Sequence, residues 1–275
     1  MIKLIFYNDI GEVRFEHGAW RLTEAEGFSV PASQISAVRY INQPGHFVTG
    51  ISKNPRTITL SGDINLGKCG EDAFSKACAV LEKEGTLRIE TLRFKREIGA
   101  RCIEFVPGER RGPYRSFVMQ FLCDCPYFED AEETRTVIYN RVGYLTCDTV
   151  LPAVLSGRIA KGDIKYKGSA FCEPKIIVTL PEGIGVLKII NHTNGGKISV
   201  NYDSSQAKSL IINVKNRTIT DENDANLLDL LTDDSFFDGF RIDNGENTIE
   251  VLNSDASADI KVVMEYKTRH AEAVI

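Results

Sequence analysis

Residues 115–123 alternate without a break. Phe117, Met119, Phe121 and Cys123 fall on one side of an extended chain, and Ser116, Val118, Gln120 and Leu122 fall on the other. A period of two is the signature of a strand with one buried face. Residues 56–62 repeat it with Ile58 and Leu60, and further strands are expected at 3–6, 13–15, 86–94 and 101–106. Pro107, Gly108, Gly112 and Pro113 supply the turn before residue 115. Pro126 ends the run that residue 115 begins, because proline cannot donate to a central ladder.

The period changes once. Phe74, Ala77, Cys78 and Leu81 stand at i, i+3, i+4 and i+7, which predicts an amphipathic helix over 70–84 with Gly85 as its C-cap. Beyond Pro174 the pattern is β throughout. Strands are expected at 175–180, 185–191, 197–202, 209–213, 217–220, 239–242, 247–252 and 260–266, with turns at residues 194–196 and 243–245 and one short helical turn at 226–231. Many short strands at this spacing indicate a β-sandwich. Residues 135–171 read as a linker strand into that second domain. The division expected is therefore 1–134 and 135–275, and the fold class is mainly β.

Residues 23–50 fit neither period. Pro31 and Pro44 interrupt them, yet Phe28, Val30, Ile35, Val38, Tyr40 and Phe47 are apolar or aromatic. A loop bathed in water gains nothing from such residues, so this arm is expected to pack on its own domain or on a neighbouring subunit.

Composition narrows the chemistry. Lys plus Arg total 33 against 38 Asp plus Glu, a net charge of -5, so no cationic surplus exists to hold a phosphate backbone. No apolar run approaches the length of a membrane-spanning helix, and the start carries no signal-peptide core, so a chain made in the cytoplasm is expected. The 7 cysteines cannot all pair internally, and Cys123 and Cys125 lack the spacing of a zinc or redox motif. His17, His46, His192 and His270 are scattered singly, which points to no metal site. Residues 62–70 lie between strand and helix but lack the phosphate-binding loop pattern, because Cys69 replaces the hydroxyl residue. Neither a nucleophile elbow nor a zinc-protease motif occurs. Asp124 with Glu129, or Asp233 with Asp234, are the carboxylate pairs that could be imagined as acid and base of a glycoside hydrolase, but acidic runs of this kind are ordinarily solvated. No catalytic residue, cofactor or metal is expected. A carbohydrate-binding sandwich that recognises cell-wall sugars is the alternative reading, weakened because Trp20, the one Trp, lies outside the sandwich. The largest charge feature is Arg93, Lys95, Arg96, Arg101, Arg110, Arg111 and Arg115, interleaved with Glu97, Glu104 and Glu109. Its mixed sign suits register across a subunit interface, for which Arg110 and Arg111 are the candidate residues.

In this order the features resemble the distal tail proteins of long-tailed, non-contractile bacteriophages and their prophage relatives. The resemblance is carried by residues 54–62 leading into the helix, Gly85 with the strands after it, residues 115–128 ending at Pro126, and the second-domain segments 190–195, 210–213 with Arg217, and 243–249. It implies a tail-tube-like split β-barrel with one flanking helix, followed by a galectin-like β-sandwich. It implies a hexameric ring at the tail tip, with residues 23–50 as a belt around the next subunit. The partners implied are the tail tube protein, the tail-associated hub protein and a receptor-binding protein. The chain lacks the long insertions of larger members, so a built-in sugar module is not expected.

Overall fold

The structure, a computed structural model, describes residues 2–15, 18–67, 70–143, 156–159, 161–254 and 260–273. The chain forms two units: Met1–Ala131 with His270–Ile275, and Glu132–Arg269. The second unit is thus inserted before the last residues, which return to the first. The sequence reading ran the second domain to the end of the chain; the structure differs because Ala273 is buried in the first unit's core.

In the first unit β1 (Lys3–Tyr7), β2 (Glu12–Arg14) and β3 (Trp20–Glu26) precede β4 (Ser33–Val38) and β5 (Phe47–Lys53). Then come β6 (Arg56–Asn65), α1 (Gly70–Leu81), β7 (Gly85–Glu90), β8 (Lys95–Arg111), β9 (Tyr114–Cys123) and β10 (Phe128–Asp130). The main sheet runs β2-β1-β7-β8-β9-β6-β3, with neighbours antiparallel. Phe117, Met119, Phe121 and Cys123 bury the face that their alternation predicts. They meet Phe6, whose ring centroid is 5.1 Å from that of Phe121, and Trp20, edge-on to Phe117 at 5.0 Å. Helix α1 contributes Ala77, Val80 and Leu81 to this core, and Phe74 reaches Phe105 at 5.4 Å.

Two expectations are corrected here. Gly85 does not cap α1; it opens β7, where a Cβ would stand 2.5 Å from the Tyr7 carbonyl oxygen and 2.7 Å from the Phe6 ring. Close approach of strand to strand, not helix termination, requires the glycine. Pro107 and Gly108 lie inside β8, where the ladder shifts register between Pro107 and Arg110; the bulge accommodates the proline, and the turn shrinks to Gly112 and Pro113.

In the second unit β11 (Thr134–Gly143), β12 (Ser156–Ile159) and β13 (Lys161–Tyr166) occupy the stretch read as a linker. β14 (Lys175–Thr179), β15 (Ile184–Asn191), β16 (Gly196–Asp203), β17 (Ser209–Asn213), β18 (Thr218–Thr220), β19 (Gly245–Asn253) and β20 (Lys261–Tyr266) follow. One sheet runs β12-β11-β20-β14-β17-β18 and the other β13-β19-β15-β16. Ile176, Val178, Ile212 and Met264 of the first share a single core with Leu187, Ile189, Val200 and Val251 of the second. Residues 239–242, expected as a strand, instead end a 3-10 turn, Phe237–Gly239, and make one bridge from Ile242 to Cys172. Phe240 and Ile242 are buried there as core residues of a loop, and their burial mimics alternation.

Candidate assembly surface

Between Glu26 and Arg56 the chain leaves the main sheet and forms its own two-stranded ladder, β4 with β5. The arm read from the sequence is a hairpin, and every residue of both strands is exposed. Ile35 pairs with Ile51 and Ala37 with Val48, the register shifting between Ser36 and Ala37. The pairing places these four side chains on one face, with Val38 and Phe47 paired on the other. Tyr40 closes edge-on upon Phe47 at 5.3 Å. An isolated hairpin is marginal in water, and this one presents apolar side chains on both faces. Such a ladder is built to be covered.

Of the residues chosen from sequence, Val30, Ile35, Val38, Tyr40 and Phe47 are exposed in or beside this hairpin. Phe28 is not. It is 5% exposed and lies parallel to Phe128, centroids 6.0 Å and planes 11° apart, so it anchors the arm inside its own core. Ile41, Val48 and Ile51 extend the exposed surface and were missed, though their apolar character inside an interrupted segment was the available signal.

The hairpin leaves the body at a tightly bonded point. Arg56, the first residue of β6, is 5% exposed. Its Nε donates to the Pro126 carbonyl at 2.8 Å, Nη1 to Gly27 at 2.5 Å and Ser29 at 2.6 Å, and Nη2 to Ala271 at 2.5 Å. The guanidinium also lies 4.6 Å from the centroid of the Phe128 ring. Burial pulls its pKa below the usual arginine value. Nothing in the sequence marks this residue, because its partners are backbone carbonyls of distant segments.

Among the described residues the main sheet ends on β2 and on β3, and part of β8 also has an open flank. β7 pairs with β8 only through residues 95–100, so from Arg101 onward β8 has a ladder on one side alone. β3 is the terminal strand at the other end. The β8–β9 tip carries the charge. Arg110 stands opposite Arg115, and these two with Arg111 make no ion pair among the described residues. Three others of the basic set are neutralised locally: Lys95 meets Glu90 at 3.3 Å, Arg101 meets Glu84, and Arg96 lies 3.8 Å from both Asp130 and Glu272.

Other candidate chemistry resolves into structural contacts. His192 bonds Glu250 at 2.7 Å and His270 bonds Asp130 at 3.0 Å. Asp234 bonds Lys197 and Thr232, which hold its carboxyl down at about 2. Cys78, Cys102, Cys123, Cys125 and Cys172 form no disulfide among the described residues, while Cys69, Cys147 and His17 lie outside the described residues. Among the described residues no three His, Cys, Asp or Glu side chains converge as a metal site would need, and no helix is long and apolar enough to cross a membrane.

Residues 167–270 match the family model of SPP1 Dit, described as the C-terminal domain of a siphovirus-type tail component. Over that stretch the chain is similar to siphovirus-type tail components of the distal tail (Dit) kind. The match lies within the second unit but for its last residue. The fold of the whole chain is shared with the crystal structure of SPP1 Dit, described as a paradigm of hub adsorption apparatus in Gram-positive infecting phages: TM-score 0.69 and 12% identity, covering 98% of this chain and 99% of that one. Two structures of the phage p2 baseplate in its activated conformation, with Ca and with Sr, align at TM-scores of 0.48 and 0.47, each at 12% identity over 96% of this chain and 98% of that one. No curated protein matches in sequence.

Proposed function

We propose that this chain is a distal tail protein of a phage tail tip and forms a hexameric hub ring joining the tail tube to the tail-associated hub protein and to receptor-binding proteins. The first unit, read as a tail-tube-like split barrel over about 1–134, makes the ring. The second unit, Glu132–Arg269, read as a galectin-like sandwich, serves its periphery. The hairpin is the belt, and Val30, Ile35, Val38, Tyr40, Phe47, Arg110 and Arg111 contribute to the contact between copies. Phe28 fixes the belt's root rather than touching a neighbour.

One observation carries this reading: a hairpin whose paired apolar residues, Ile35 with Ile51 and Val38 with Phe47, are all exposed. A second copy is the occupant that a repeating assembly supplies. The open flanks of β3 and β8 favour the same arrangement, since head-to-tail contacts use two different surfaces and close into rings when the rotation permits. The hub role described for SPP1 Dit supports the placement between tube and tip.

Negative-stain images of the chain co-expressed with its tail tube protein test the proposal. Six-fold class averages are expected, and deleting residues 33–53 is expected to leave single copies. A six-fold ring from the deleted chain would remove the belt from the account, and a different copy number would overturn the hexamer.

A further inference from the structure

Three successive carbonyls at the arm's entry are bonded from elsewhere in the first unit. Arg56 Nη1 takes those of Gly27 and Ser29, and the backbone N–H of Ala273 donates to that of Phe28 at 2.8 Å. The same guanidinium holds the Ala271 carbonyl, and Arg96 Nη1 holds that of Glu272 at 2.5 Å. Ala273 is fully buried. The arm's exit is tied in as well, because Arg56 follows β5 by only two residues and Asn54 donates to the Ala32 carbonyl at 3.0 Å. Entry, exit and C-terminal segment thus share one buried cation.

We propose that residues 271–273 are a strap and Arg56 its latch, together fixing where the assembly hairpin leaves the body. A guanidinium suits this task because its fork of donors reaches several carbonyls at once, which an ammonium on a flexible stem does not. The segment that closes the latch is the chain's return from the inserted second unit. Order at the hairpin's root therefore depends on residues more than two hundred positions away. The inference concerns the single chain and stands whether or not the proposed ring forms.

Hydrogen exchange on the full chain tests it, with three variants: Arg56→Lys, a chain ending at His270, and the two combined. Arg56→Lys keeps the charge and stem, so unit one stays folded, and the amides of residues 117–123 report this. Each single variant is expected to speed exchange at residues 54 and 28–32 by about tenfold, the range of local opening. The combination is expected to match the larger single effect, because both changes open one latch. Root exchange unchanged in the shortened chain would overturn the proposal. So would effects that multiply independently, or a rise as large in residues 117–123 as at the root. A chain whose root stays ordered but which forms no ring would count against the proposed function alone.

Discussion

Ile35 faces Ile51 across the β4–β5 ladder, and the two are 57% and 67% exposed. Directly opposed β-branched residues stabilise a ladder mainly when water is excluded from them. Replacing both with Asp is expected to cost subunit association about 2–4 kcal/mol, as charging the centre of an interface does. The unfolding free energy of the single chain should move by no more than about 0.5 kcal/mol, since these positions touch no core. Light scattering against concentration, together with urea unfolding, reads the two effects separately.

Gly27 adopts φ +89°, and a Cβ there would lie 2.3 Å from the Thr57 carbonyl oxygen. Gly18, at φ +80°, has nothing within 4 Å of the same added atom. Gly18→Ala should therefore cost about 1 kcal/mol for the backbone conformation alone. Gly27→Ala should cost about 3 kcal/mol or more, because β6 must shift as well. Urea midpoints of the two variants measure the difference, and equal costs would show that the contact with Thr57 relaxes freely.

Cys123 is buried and its thiol is pushed up to about 12, chiefly by desolvation, while Cys125 is exposed. Both lie in the tryptic peptide of residues 116–135. Native labelling with a thiol reagent near pH 8 should add one group to that peptide, and labelling in denaturant two, because only an accessible thiolate reacts. The sign for stability follows. Between about 9 and 12 the unfolded chain has lost a proton that the folded chain keeps, so stability is intact below pH 9 and falls as pH rises towards 12. Cys123→Ala should flatten that alkaline decline in urea titrations.

Asn247 is fully buried in the second unit. Its Oδ1 accepts from the Asp243 backbone N–H at 3.0 Å and from Asn191 Nδ2 at 3.2 Å, and its Nδ2 donates to the Asp243 carbonyl at 2.6 Å. Asn247→Ala strands those groups away from water, at an expected cost of about 2–3 kcal/mol. Hydrogen exchange should rise across β14, β17 and β20 and stay unchanged in β6 and β9. A uniform rise through both units would refute their independence.

The strands that bury one face were legible because burial writes a period of two into the sequence, as Phe117 to Cys123 shows. The hairpin was legible as apolar but not as strand, since two fully exposed strands have no inner face to impose alternation. Phe28 and Phe47 look alike in sequence; only Phe128 stacked on the former separates a buried anchor from an exposed ring. Arg110 and Arg111 could be told from Arg96 and Arg101 only once strand pairing showed which carboxylates were near.

The sequence by itself determined the mainly β character, the single strong helix, the poverty of catalytic groups and an apolar segment in need of cover. Each follows from side-chain chemistry read at short range. The tertiary structure decided the paired register of the hairpin, the return of residues 270–273 to the first unit, and the gathering of four carbonyls on Arg56. Backbone carbonyls are the same for every residue type, so no composition or period records which of them a distant guanidinium will hold.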